Sequence, residues 1–195
     1  MKKDELSNAI SALSRGDVII YPTDTLYALG ADIYNEDAVK KVFKIKRRPK
    51  SLPIPIAVST LNEMEKIAYT NDLVKTVVKN LLPGELTVLL FKKDKVSNTV
   101  TSGSDKVAIR IPDNDIALYL LSKFGPLTVT SANIHRKKTP YVINDITMQF
   151  SKDIQVYLDH GKLDGKPSTI VDLTSKDPVI VRQGSITKKE ILDAI

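Results

Sequence analysis

Short apolar runs alternate with stretches of helical periodicity along this chain, and that alternation limits what it can fold into. Residues 17–21 (DVIIY), 54–58 (IPIAV), 86–91 (LTVLLF), 107–111 (VAIRI) and 127–130 (LTVT) read as short strands. Helical spacing marks Leu6, Ile10 and Leu13, closed by Gly16. It also marks Ala38, Val39, Val42 and Phe43, behind Asn35 as N-cap and Glu36 and Asp37 in the first turn. Asn71 and Asp72 open another helix through Leu82, stopped by Pro83-Gly84, and residues 115–124 make a further one. Thr187 with Glu190 forms a capping box for the last helix. Residues 155–158, 169–173 and 179–181 add strands, so the last third is mostly β. Residues 22–30 (PTDTLYALG) read as a loop, and Pro55 puts its strand at an edge or a bulge. The mixture predicts an α/β (α+β) fold: a twisted, mixed β-sheet flanked by helices. No repeat and no Pro/Gly/Ser linker divides the chain, so residues 1–195 are expected to form a single domain.

Charge is concentrated rather than general. The net +6 comes from residues 40–50, which hold seven basic residues and no acid; the rest of the chain has 22 basic against 23 acidic residues. A positive segment on a neutral body predicts a bound anion, against the alternative of a solvated helix end. The 195 residues contain no cysteine, which excludes disulfides, thiolate metal sites and cysteine nucleophiles. There is no G-x-G-x-x-G, no phosphate loop of the G-x-x-x-x-G-K-[ST] type and no G-x-S-x-G. The two histidines, His135 and His160, do not have zinc-ligand spacing. No run of about 18 apolar residues exists to span a membrane. Residues 1–13 begin with Lys2 and Lys3, but Asp4 and Glu5 follow and no apolar segment makes a signal peptide. A cytoplasmic location, off the membrane, is the expectation.

Small hydroxyls, amides and cations gather at predicted strand ends. They occur in order as PTDTLYALG (22–30), Lys46-Arg47-Arg48-Pro49, Pro83-Gly84-Glu85-Leu86-Thr87, Arg110-Ile111-Pro112, Thr130-Ser131-Ala132-Asn133, Ser168-Thr169-Ile170-Val171-Asp172 and Arg182-Gln183-Gly184. This ordered set resembles the YrdC-like family, the threonylcarbamoyl-AMP synthases, from about residue 10 to 190. Members carry P-T-D-T-x-Y-G-L-G, K-x-R, P-G-P-x-T, R-x-P, T-S-A-N, S-T-(I/V)-V-D and R-x-G. The chain looks like the short form, without the extra C-terminal domain of longer members.

The resemblance implies an ATP-dependent nucleotidyltransferase. It would join L-threonine, bicarbonate and ATP into threonylcarbamoyl-AMP, release pyrophosphate, and feed a downstream threonylcarbamoyl transferase that modifies tRNA. Mg²⁺ is expected with ATP, held by phosphate oxygens and water, with no protein side chain assigned to metal and no organic prosthetic group. Lys46 and Arg48 are the implied catalytic pair. Lys46, Arg48, Ser131, Asn133 and Arg182 are assigned to the nucleotide, and Thr25, Arg110, Thr130 and Ser168 to threonine and bicarbonate. Arg suits planar anions and Lys acts as a point charge, so positioning and electrostatics can carry the displacement. Arg110 sits mid-strand and needs an anion, either a bound carboxylate or an internal acid such as Asp24. Asp172 reads as structural.

Several positions depart from the family pattern. Ala28 replaces a Gly, Leu52 an Asn, Ala57 a His and Glu85 a Pro; His135-Arg136 stands where Ser-Gly is usual. Arg136-Lys137-Lys138 then adds charge beside the expected site. Two other readings stay open: a module binding tRNA or double-stranded RNA through a positive groove, and a divergent paralogue acting on another substrate.

Overall fold

The computed structural model describes residues 3–150 and 153–195; Met1 and Lys2, read above as part of the N-terminal segment, lie outside them. The first helix, α1 (Lys3–Ser14), leads into β1 (Ile19–Tyr21) and β2 (Ala28–Gly30). Helix α2 (Glu36–Lys46) follows, then β3 (Ile56–Ala57), α3 (Leu61–Ile67), α4 (Asp72–Leu81) and β4 (Leu86–Phe91). The middle of the chain adds α5 (Asn98–Thr101), β5 (Lys106–Arg110), α6 (Asp115–Phe124), β6 (Leu127–Thr128) and β7 (Thr130–Ser131). Last come α7 (Ile143–Phe150), β8 (Val156–Tyr157), β9 (Thr169–Asp172), β10 (Val179–Arg182) and α8 (Lys188–Asp193).

The fold is the expected mixed α/β one, but the strands form two mixed sheets instead of one. Among the described residues these are a four-stranded sheet β7-β2-β1-β8 and a six-stranded sheet β10-β9-β4-β5-β3-β6. The segment read as one strand over 127–130 supplies both. Leu127 and Thr128 pair with β3, while Thr130 and Ser131 pair with β2. Between them the Val129 N–H donates to the Pro55 carbonyl at 2.8 Å. The T-S-A-N motif is thereby placed at the junction of the sheets.

The four-stranded sheet is buried on both faces, which is why β1 is apolar without alternation. Ile19 and Tyr21 face α1 and α6, packing with Ala9, Leu13, Ala117 and Leu120. Ile20 points the other way, into the larger core with Val39, Val42, Ile56 and Val88. Gly30 allows the contact of strands β1 and β2, because a Cβ there would sit 2.7 Å from the Tyr21 ring.

Three readings need correction. Residues 28–30 are strand, not loop, because their backbone pairs with β1 on one side and β7 on the other. β3 lies between β5 and β6 rather than at an edge; Pro55 is tolerated because it precedes the paired residues and contributes only its carbonyl. Helices α3, α5 and α7 were not expected. The other helix starts hold: Asn35 caps α2 through Asp37 and Ala38, Asn71 caps α4 through Val74, and Thr187 with Glu190 makes the reciprocal box on α8.

Candidate active site at the junction of the two sheets

A cavity of about 450 Å³ opens where the two sheets meet. All seven motif segments reach it, through Thr23 and residues 25–28, Arg48, Thr87, Arg110, Thr130 with Ser131, Ser168 and Arg182.

The 22–27 loop is built around one hydroxyl. Thr23 Oγ1 donates to the Leu26 carbonyl at 2.7 Å and accepts from the N–H groups of Thr25 and Leu26 at 3.2 and 3.1 Å. This side-chain turn fixes the neighbouring Asp24 and Thr25. The Thr25 hydroxyl lies 3.0 Å from Thr23 Oγ1 and hydrogen-bonds with it, which fixes the orientation of Thr25. Thr25 Oγ1 accepts from Arg110 Nη1 at 3.0 Å.

Arg110 has its internal acid. Its Nη2 donates to both Asp24 oxygens, at 2.6 and 2.8 Å, and to the Gly84 carbonyl at 3.0 Å. Both side chains are buried, 5% and 9% exposed. Burial pushes the Asp24 carboxyl up from its ordinary range and the Arg110 guanidinium down, each partly offset by the other's charge. Arg110 Nε is buried without a partner. Of the two anions weighed for this arginine, Asp24 is the one that pairs it.

The S-T-I-V-D and R-x-G motifs form one unit. Arg182 donates through Nε and Nη2 to the Ser168 carbonyl at 3.2 and 2.7 Å, and Ser168 Oγ lies 2.8 Å from Thr87 Oγ1. The Gly184 N–H donates to Thr169 Oγ1 at 2.9 Å. A Cβ on Gly184 would come within 2.1 Å of the Pro167 carbonyl, so only glycine lets β10 approach Ser168 this closely. Asp172 pairs with Lys106 at 2.8 Å on the same sheet, which fits its structural reading.

Lys46 and Asn133 were expected among the nucleotide contacts, yet neither lines the cavity. They are 2% and 6% exposed and stand behind Ser131. Lys46 Nζ donates to Asn133 O and Oδ1, both at 3.0 Å, and to Ser131 Oγ at 3.3 Å and its carbonyl. Ser131 Oγ donates to Asn133 Oδ1 at 2.6 Å. The lysine is the last residue of α2, where an inward-facing side chain reaches the T-S-A-N turn instead of open space. Burial, aided by repulsion from Arg48, pushes its ammonium down to about 7.

Arg48 does line the cavity. The α2 C-cap, Arg47, adopts the left-handed conformation, and this turns the chain so that Arg48 faces inward. The Arg48 guanidinium clamps the carbonyls of Leu52 and Pro53 at 3.1 and 2.8 Å. Ala57, the residue at the family's His position, is fully buried beneath α1 and α6 and does not line the cavity. Lys106, Thr139 and Ser104 line it without having been expected there. For Lys106 and Thr87 the available signal was period-2 alternation: 87 and 89 on β4, and 106, 108 and 110 on β5, share the cavity face. No helix among the described residues is long and apolar enough to cross a membrane.

The Sua5/YciO/YrdC family model, described as telomere recombination, matches residues 11–184. A putative threonylcarbamoyl-AMP synthase of Methanocaldococcus jannaschii is 41% identical over 172 residues, 88% of this chain and 81% of that protein. The Bacillus subtilis threonylcarbamoyl-AMP synthase is 34% identical over 191 residues, 96% of this chain but 55% of that protein. The crystal structure of P. abyssi Sua5 complexed with L-threonine superposes with a TM-score of 0.96 at 32% identity, covering 100% of this chain and 58% of that one. The chain thus spans a little over half the length of the latter two relatives.

Proposed function

The chain belongs to the Sua5/YciO/YrdC family, and we propose that it is a threonylcarbamoyl-AMP synthase acting on L-threonine, bicarbonate and ATP. The observation that carries this reading is the meeting of separate motif segments on one cavity with two unlike ends. One end holds Arg48 and Ser131, backed by Lys46; the other holds Arg110, Thr25, Thr130 and Ser168.

In this reading the triphosphate lies against Arg48 and Ser131 and extends to Arg182, which is hydrogen-bonded to Ser168 at the threonine end. Lys46 contributes its charge from behind the wall and fixes Ser131 and Asn133 in place. Threonine lies by Arg110, whose second Nη1–H remains for its carboxylate. Thr25, Thr130 and Ser168 orient it. The threonine nitrogen attacks the bicarbonate-derived carbon and water leaves. A carbamate oxygen then attacks the α-phosphorus and pyrophosphate departs with its bonding pair. No enzyme atom becomes covalently attached, so the protein's contribution is placement and offset of anion repulsion. Mg²⁺ enters with ATP as part of the substrate. The adenylate passes to a transferase acting on tRNA in the cytoplasm.

Pyrophosphate release by the purified protein tests this. Release requiring threonine, bicarbonate and ATP together is expected. Release that ignores threonine refutes the assignment.

A further inference from the structure

The basic run divides into two halves with different surroundings. On α2, Lys40 pairs with Asp37 at 3.0 Å and Lys41 with Asp17 at 3.7 Å. Beyond the helix end, Arg47, Arg48 and Lys50 form no ion pair among the described residues. Neither do Arg136, Lys137 and Lys138 on the facing loop.

These two unpaired sets are held together. The His135 N–H donates to the Lys46 carbonyl at 2.7 Å, seating the loop on the α2 C-terminus. Asn133 Nδ2 donates to the Lys137 carbonyl at 2.7 Å, and the Ile134 N–H to Gln149 Oε1 at 3.0 Å, which anchors the loop from α7. Arg48 and Thr139 both line the cavity, with exposed Arg47 and Lys138 next to them in the chain, whereas Lys50 lines a separate cavity with Lys40 and Phe43. The charges that act on His135 are those of Arg48, Arg136 and Lys46, all positive.

Arg136 also has φ 65°, a left-handed conformation that glycine adopts without cost, and Arg47 has φ 53°. Two arginines thus occupy positions suited to glycine, both exposed and on the two segments that the His135–Lys46 hydrogen bond joins. Like charges gathered without a counter-ion and at a backbone cost call for an anion from solution.

We propose that this rim is a pyrophosphate-binding site that receives the leaving group at the mouth of the cavity. The inference rests on the synthase reading, in which pyrophosphate is the product that must pass outward from Arg48. Its two phosphoryl groups match separate guanidinium and ammonium groups from the two segments, and Arg offers each a planar pair of donors.

The test is calorimetric titration of the whole chain with pyrophosphate alone. The variants are Arg136→Gly/Lys137→Ser/Lys138→Ser and, from the opposite segment, Arg47→Gly. Both place glycine in the left-handed position, and circular dichroism checks that they fold. Pyrophosphate affinity is expected to fall about tenfold in each while ATP and threonine affinity change less than about threefold. Product inhibition by pyrophosphate should weaken by the same factor. Unchanged pyrophosphate affinity overturns the proposal. An equal loss of ATP affinity overturns it too, since the rim would then be part of the triphosphate site. Loss of RNA-duplex binding with pyrophosphate binding intact assigns the rim to nucleic acid instead. Binding needs no turnover, so the two readings fail separately. Rim-dependent pyrophosphate binding in a protein that forms no adenylate supports the rim and refutes the synthase. An active synthase whose pyrophosphate affinity ignores the rim refutes the rim alone.

Discussion

Two buried cations, Arg110 and Lys46, flank the cavity and are treated in opposite ways. Arg110 is 4% exposed and holds an acid of its own, Asp24. Lys46 is 2% exposed and holds only the oxygens of Ser131 and Asn133. The first pair is neutral overall, so Arg110 acts as an oriented donor more than as a source of field. The second has no acid partner, so the charge that Lys46 carries, in full only below about pH 7, stands uncompensated behind the wall. A zwitterionic amino acid suits the neutral end, and a polyphosphate suits the positive one.

Breaking the neutral end should have the largest effect on the fold. Asp24→Ala leaves a buried guanidinium unpaired and should cost about 3–5 kcal/mol in urea unfolding. A loss under about 1 kcal/mol would show that Arg110 does not depend on its acid. Gly184→Ala comes next. Its Cβ would collide with the Pro167 carbonyl, and moving β10 should cost about 1–3 kcal/mol. The same shift should raise the KM for ATP by loosening Arg182 from Ser168.

The positive end is sharpened by protons. Burial places Lys46 near 7, so at pH 8 most free protein carries it neutral, and an arriving anion raises its pKa. ATP binding at pH 8 should therefore take up a proton, and at pH 6 much less of one, measured by calorimetry in buffers of different ionisation heat. Lys46→Met should abolish this linkage and weaken ATP binding about tenfold, with threonine binding retained. Uptake that persists in the variant would assign the proton elsewhere. The sign for stability is separate: a lysine depressed in the folded state costs stability below about 7 and is relieved as the pH rises toward its ordinary value. The smallest expected effect is Arg136→Gly, a gain of up to about 1 kcal/mol in thermal unfolding from relieving the left-handed backbone.

Strands and capped helices were legible because their signals are local. The Asn35 and Asn71 caps and the β4 run needed only a few neighbouring residues. The two-sheet arrangement was not, because the break at Val129 depends on partners far away in sequence, Pro55 on one side and Leu29 on the other. Helix α3 left a trace in Thr60-x-x-Glu63, where Thr60 does cap the Glu63 N–H at 3.2 Å. Its seven residues carried too little periodicity to stand out. For the site, motif order identified the segments that converge, but not depth. Nothing local tells that Lys46 points behind Ser131 while Arg48, two residues on, points into the cavity. The left-handed turn at Arg47 decides that.

The central claim is that these two ends bring threonine, bicarbonate and ATP together into one adenylate. Carbon-labelled bicarbonate tests it most directly, with products of the wild-type protein separated and weighed by mass spectrometry. The account predicts label in a single species containing threonine, the carbamoyl carbon and AMP, formed only when all three substrates are present. ATP consumed with no label in an adenylate would contradict it.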